Sequence, residues 1–71
     1  MTVVLEKYRS ADGTIANIQQ EKFSDLFQLD VFQVFSNSGY ALTVYRGNYT
    51  TRSSARRAMK RYGTEWKKEV G

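Results

Sequence analysis

Basic side chains crowd one short segment near the end of the sequence. The segment RSSARRAMKRYGTEWKK, residues 52–68, contains seven of the chain's eleven lysines and arginines and only one acid, Glu65. The seven cations are Arg52, Arg56, Arg57, Lys60, Arg61, Lys67 and Lys68. Arginine presents a planar fork of N–H donors that fits phosphate and carboxylate groups, and lysine adds a mobile positive charge. The chemistry that this segment offers is the binding of anions.

The two parts of the chain carry opposite net charge. Residues 1–45 hold three cations and five acids, a balance of −2, whereas residues 46–71 hold eight cations and two acids, a balance of +6. A basic surface attracts polyanions such as nucleic acid, and it also suits an acidic protein surface. A third interpretation is a basic surface that is only solvated, or that pairs with the acids of residues 1–45.

An amphipathic helix is predicted to display most of these cations. The residues that recur at the spacing of a helix stripe are Ala55, Ala58, Met59, Tyr62 and Trp66. Thr50 or Thr51 can cap the start of the helix, because a threonine hydroxyl accepts a hydrogen bond from an unpaired amide. Gly63 either ends the helix or lies within it, and the position of Trp66 on the stripe favours continuation.

The cations fall on the face of this helix that points away from the core. Arg56 with Lys60, and Arg57 with Arg61, are like-charge pairs four residues apart. Each such pair is unfavourable by roughly 0.2 to 0.5 kcal/mol. An external anion that accepted several of these cations would relieve the repulsion.

Two hairpins are predicted before the helix. The segments TVVLEKYRS and TIANIQQ are typical of strands, and the Asp12–Gly13 pair between them tolerates the positive φ of a tight turn. The segment DVFQVFSNSGYALTVYRGNYT predicts a second hairpin that turns at SNSG, with a bulge or bend at Gly47 and Asn48. These elements predict antiparallel pairing throughout.

The segment QEKFSDLFQL between the hairpins is ambiguous. Phe23, Leu26 and Phe27 have the spacing of a helix stripe, so a short helix or helical turn is predicted. The predicted fold is α+β, a small antiparallel sheet of three or four strands with a C-terminal amphipathic helix packed on one face. A chain of 71 residues has one small core, so residues 1–71 are predicted to form a single domain.

The second hairpin is a candidate interaction surface. It has no charged residue between Val31 and Tyr45, and Val31, Phe35 and Tyr40 are the residues expected to meet a partner. The outer face of this hairpin could be covered by a protein partner, by a second copy in a homodimer, or by residues 1–29 of the same chain.

The composition argues against several classes of protein. The chain has neither cysteine nor histidine, so disulfides and the usual zinc, haem and thiolate sites are excluded, and no cofactor or metal is expected. No nucleophile–base set or glycine-rich phosphate loop can be assembled, so an enzyme is not expected. The longest uncharged stretch is too polar to span a membrane and no signal segment opens the chain, so a cytoplasmic protein is expected.

The run GNYTTRSSARRAM, residues 47–59, resembles the last-strand-to-helix junction of small three-strand-plus-helix DNA-binding domains, such as the arm-binding modules of phage integrases. The resemblance implies a sheet-and-helix fold that binds DNA. Those families read DNA mainly with charged sheet residues, whereas the hairpin here is uncharged, so the helix would have to make the contacts. The chain is also similar in size and charge asymmetry to short phage or mobile-element proteins that bind host machinery.

Two hypotheses of function follow. The first is a small non-catalytic binding protein whose seven cations contact the nucleic acid backbone through the outer face of the helix, in a non-specific or shape-based way. The alternative is a phage- or mobile-element-type module that inhibits or modulates a host protein. That module would use the basic helix or the hairpin of residues 31–45, and its location would be the host cytoplasm.

Overall fold

The computed structural model describes residues 2–35 and 37–70 of the chain. In chain order the elements are β1 (Thr2–Arg9), β2 (Ile15–Glu21), β3 (Phe27–Phe35), β4 (Tyr40–Tyr49), α1 (Arg52–Met59) and β5 (Lys67–Val70). The strands form one sheet in the order β4-β3-β2-β1-β5, and all neighbours are antiparallel. The first four strands follow one another as a meander, and α1 then returns the chain to the opposite edge of the sheet.

The predicted fold of three or four strands and a C-terminal helix is wrong. The sheet has five strands, and α1 ends at Met59 after eight residues, so that β5 can pair with β1. The helix is closed by a tighter turn in which the amides of Arg61 and Tyr62 donate to the carbonyls of Ala58 and Met59. Such bonds span three residues instead of four and are common where a helix stops.

Gly63 and the aromatic residues around it explain why the apolar stripe continues beyond the end of the helix. A Cβ at Gly63 would lie 2.8 Å from the Trp66 ring and 3.0 Å from the Cβ of Ser10, so only glycine fits between them. Tyr62 stacks on Tyr45 with 4.8 Å between ring centroids, and both Tyr62 and Trp66 pack against the core. The two rings reach the core from the turns after α1. The spacing of the stripe alone does not distinguish this path from a continued helix.

The predicted hairpins are confirmed, whereas the segment between them, predicted as a short helix or helical turn, contains no helix in residues 22–26. Residues 22–26 form turns and bends, and Phe23 is 93% exposed, whereas Phe27 of the apparent stripe begins β3 and packs against the core from there. The bulge of β4 lies at Val44, whereas Gly47 and Asn48 continue the regular pairing with β3. Ser36 of the second turn lies outside the described residues.

The first turn is fixed by side-chain hydrogen bonds as well as by Gly13, which has φ +89°. The Asp12 carboxylate accepts hydrogen bonds from the hydroxyl of Ser10 and the amide of Thr14. These bonds lower the pKa of Asp12 to about 2, because they favour the ionised carboxylate.

The core lies between α1 and one face of the sheet. Its buried residues are Tyr8, Ala16, Ile18, Leu29, Val31, Ala55, Ala58 and Met59. The predicted cap is confirmed at Thr51, whose hydroxyl accepts from the amide of Ser54 at 3.1 Å. The opposite face of the sheet, here called the open face, has no helix or strand of the described residues packed across it. Residues 1–29 do not cover it, because β1 and β2 lie beside β3 in the same sheet.

Candidate anion-binding surface

The seven cations of residues 52–68 divide into three groups in the fold. Arg57, Lys60 and Arg61 form the first group, which we call the outer cations. Arg52, Arg56 and Lys68 form the second group, and each contacts the carboxylate of Glu6. Lys67 is the single member of the third group, and its side chain lies on the open face. The prediction that all seven share one helix face is therefore wrong, because α1 ends at Met59 and β5 begins at Lys67.

The outer cations lie in the second half of α1 and in the turn that follows it. Ala55, Ala58 and Met59 are the buried residues of the helix, so Arg57 lies on its solvent side, and Lys60 and Arg61 follow in the closing turn. All three outer cations are exposed, and within residues 2–35 and 37–70 none of them forms an ion pair. Three neighbouring positive charges without an internal partner are thus left facing water.

The side of this surface near β4 is bounded by tyrosines. The hydroxyl groups of Tyr45 and Tyr49 are 2.6 Å apart. This hydrogen bond, together with burial, raises the pKa of Tyr49 to about 12, while the positive charge of Arg61 acts in the opposite direction. Because Tyr49 stays neutral at physiological pH, it does not offset the charge of the outer cations.

Glu6 is the centre of the second group. Its side chain is only 1% exposed, and Arg56 donates to it from Nε to Oε1 at 2.9 Å and from Nη2 to Oε2 at 3.3 Å. Nη1 of Arg52 lies 3.5 Å from Oε2, and Nζ of Lys68 lies 3.8 Å from Oε1. The hydroxyl of Tyr8 also donates to Oε1. A single carboxylate therefore joins β1, α1 and β5.

These contacts keep Glu6 ionised. The hydrogen bonds from Arg56 lower the pKa of Glu6 to about 2 against the opposing effect of burial, and Tyr8 and the charge of Lys68 add to the lowering. Burial and the hydrogen bond to Glu6 raise the pKa of Tyr8, and the same carboxylate raises the pKa of Arg56. Glu6 and Arg56 are thus both charged at neutral pH, whereas Tyr8 is neutral.

Sequence reasoning missed Glu6, although a signal was present. In β1 the alternation of side chains places Glu6 on the same face as Tyr8, which is a core residue. Acidic residues are almost never fully buried without a partner, so an acid at a core-facing position predicts cations beside it. Which cations these are depends on contacts across 50 residues of sequence, and spacing does not reveal such contacts.

Lys67 points away from the other cations because side chains alternate along β5. Lys68 pairs with Tyr8 on the helix side, so its neighbour Lys67, opposite Arg9, lies on the open face. Arg9 and Lys67 are like charges at directly opposed positions, an arrangement that destabilises a strand pair. The Nε atom of Arg9 donates to Glu69 at 3.1 Å, which offsets this repulsion.

The hairpin predicted as an interface is only partly exposed. Val31 is fully buried beneath α1 because it faces the helix side of β3, so its place in the predicted interface is wrong. Phe35 and Tyr40 are exposed, with stacked rings 6.4 Å apart. The pairing of β2 with β3 reaches only from Gln19 to Ile15, so beyond Phe32 the second hairpin extends as a ribbon of two strands. We call residues 33–44 the distal ribbon.

No protein-family model, curated protein or solved structure matches this chain. Within the described residues no helix is long and apolar enough to cross a membrane. The same residues contain no group of three acidic side chains that would hold a metal ion. A function must therefore be inferred from the basic surface and the distal ribbon themselves.

Proposed function

We propose that this protein is a small non-catalytic binding protein that contacts the backbone of nucleic acid through the basic surface around α1. The observation that carries the proposal is the group of outer cations, Arg57, Lys60 and Arg61, which are exposed and have no acidic partner in the described residues. Phosphate groups would satisfy these cations, and the release of counterions from the nucleic acid would drive the association.

The contacts in this proposal are to phosphate and not to bases. Arginine and lysine contacts to phosphate position a protein without reading sequence. Tyr62 and Trp66, the aromatic residues of the basic segment, pack against the core and are not free to stack on bases. Binding that is non-specific or depends on the shape of the nucleic acid follows from this arrangement.

A binding panel tests the proposal. Fluorescence anisotropy would compare duplex DNA, single-stranded DNA, RNA and a polyglutamate peptide, each at low and moderate salt. For three phosphate contacts, raising the salt from about 50 mM to about 200 mM weakens binding by about 40-fold for a duplex and by about 20-fold for a single strand. We expect that loss of affinity for at least one nucleic acid, together with weaker binding of polyglutamate. If no nucleic acid binds at the lower salt concentration, the proposal is wrong.

A second candidate function is supported by the distal ribbon. It has no charged side chain, and the side chains of Val34, Phe35, Tyr40 and Leu42 are exposed on it. A host or partner protein with an apolar surface would fit this ribbon, as would a second copy of the chain in a homodimer. The same panel separates the two candidates, because a domain that acts through the ribbon alone would leave all three nucleic acids unbound.

The proposal also includes the cellular compartment in which the protein acts. We place the protein in the cytoplasm, or in the host cytoplasm if a phage encodes it, because the chain folds without cysteine. Proteins that fold without disulfides suit a reducing compartment, and nucleic acid is accessible there.

A further inference from the structure

The group around Glu6 holds more positive charge than the carboxylate can neutralise. Three cations meet one acid, which leaves a net charge of +2 at the junction of β1, α1 and β5. The Glu6 side chain is 1% exposed, whereas those of Arg52, Arg56 and Lys68 are 45%, 40% and 45% exposed. The negative charge is therefore buried and the positive charges remain in contact with water.

Each of the three cations keeps donors that Glu6 does not use. A guanidinium group has five N–H donors, and Arg56 directs only its Nε and Nη2 atoms to Glu6. Arg52 approaches Glu6 through Nη1 alone while it lies over the ring of Phe27, 5.8 Å from the centroid. Lys68 makes a single long contact of 3.8 Å. The three cations therefore meet at one carboxylate while part of their capacity to donate remains unused.

We propose that Glu6 is a positioning residue that holds Arg52, Arg56 and Lys68 as a preorganised site for one phosphate group of the nucleic acid. This inference rests on the proposed function and adds a defined phosphate site to it. Exposed arginine and lysine side chains lose rotational freedom when they bind an anion. Cations that a buried carboxylate already holds lose less, so they bind phosphate more tightly than equally charged free side chains.

The inference predicts a change of affinity opposite in sign to that of simple electrostatics. Removing a negative charge from a protein strengthens its attraction to a polyanion if only net charge matters. Glu6→Gln removes one negative charge, but it also releases the three cations from their common partner. We therefore expect Glu6→Gln to bind nucleic acid roughly fivefold more weakly than wild type, the loss that corresponds to one phosphate contact.

Glu65→Gln is the matched control, because it removes the same charge from an exposed acid that makes no ion pair in the described part of the chain. We expect Glu65→Gln to bind as tightly as wild type or more tightly. Anisotropy at fixed salt would compare the three proteins with the nucleic acid that binds best. If Glu6→Gln binds as tightly as Glu65→Gln, Glu6 has no positioning role and the inference is wrong.

A titration of the wild-type protein keeps the test independent of the folding of Glu6→Gln. Pyrophosphate would be added to ¹⁵N-labelled protein while the Nε–Hε resonances of the arginines are followed by NMR. We expect saturable changes at Arg52 and Arg56, and smaller changes at Arg46, which pairs with Asp30 at 2.6 Å on the open face. Equal changes at all arginines would contradict the inference. If the wild type binds no nucleic acid at all, the proposed function is wrong, whatever the pyrophosphate titration shows.

Discussion

Replacing Arg57 and Arg61 by glutamate is expected to reduce affinity for nucleic acid by roughly 100-fold at physiological salt, with the fold intact. Each lost phosphate contact accounts for about fivefold at this salt, and the two new carboxylates add repulsion. Both side chains are exposed and make no ion pair in the described residues, so their replacement removes no internal contact. Anisotropy would measure the affinity, and a circular-dichroism melt would confirm the fold.

A double replacement on the open face is the matched control for Arg57 and Arg61. Lys7→Glu with Lys67→Glu changes the net charge by the same amount, and neither lysine forms an ion pair in residues 2–35 and 37–70. We expect this variant to lose much less affinity, because the proposed contact surface lies around α1 and not on the open face. An equal loss in the two variants would mean that net charge, and not the surface around α1, governs binding.

Loss of the Glu6 contacts is expected to produce the largest change in stability. The pKa of Glu6 is lowered from 4.5 to about 2, so its ionised form stabilises the folded protein fully above pH 4.5. This contribution, about 3 kcal/mol, is lost as the pH falls from 4.5 towards 2. We expect Glu6→Gln to lower the free energy of unfolding by about 2 to 3 kcal/mol at neutral pH.

The pH dependence distinguishes Glu6 from the other acid that titrates in the same range. Asp12 also has a pKa lowered to about 2, so the wild type and Glu6→Gln both lose stability in acid. Urea unfolding at several pH values would give the difference between the two proteins. We expect this difference to shrink between pH 4.5 and pH 2, because Glu6 becomes protonated there. A difference that stays constant across this range would show that the Glu6 carboxylate is not held by cations.

Local signals in the sequence were sufficient for the strands and turns. The alternation of β1 and the Asp12–Gly13 pair predicted the first hairpin, and the uncharged segment of residues 31–45 predicted the second. These features depend on residues close in sequence. The cap at Thr51 is of the same kind, because a hydroxyl beside the first turn needs no distant partner.

The end of α1 could not be read from the apolar stripe. The spacing of Tyr62 and Trp66 fits a helix, but the same residues reach the core from separate turns after Gly63. Periodicity shows which residues are buried and not which backbone path brings them there. The four residues of β5 also carry too little pattern to be distinguished from the end of a helix.

The candidate surface could not be predicted in full, because it depends on contacts between residues that are distant in sequence. Two of the four arginines in the basic segment, Arg52 and Arg56, are tied to Glu6, and the other two remain free of ion pairs in the described residues. Had each arginine met an acid of its own, the surface would have kept no net positive charge for an external anion. The outer cations thus carry the proposal, and the phosphate site inferred around Glu6 adds to it.

The most direct test is to locate the contact on the protein. ¹⁵N NMR spectra of the wild type would be recorded during titration with the best binder among duplex DNA, single-stranded DNA and RNA. We expect the largest changes at the Nε–Hε groups of Arg52, Arg56, Arg57 and Arg61 and at the amides of residues 57–61, with the distal ribbon unchanged. Changes concentrated in the distal ribbon, with none along α1, would contradict the proposal that this helix meets nucleic acid.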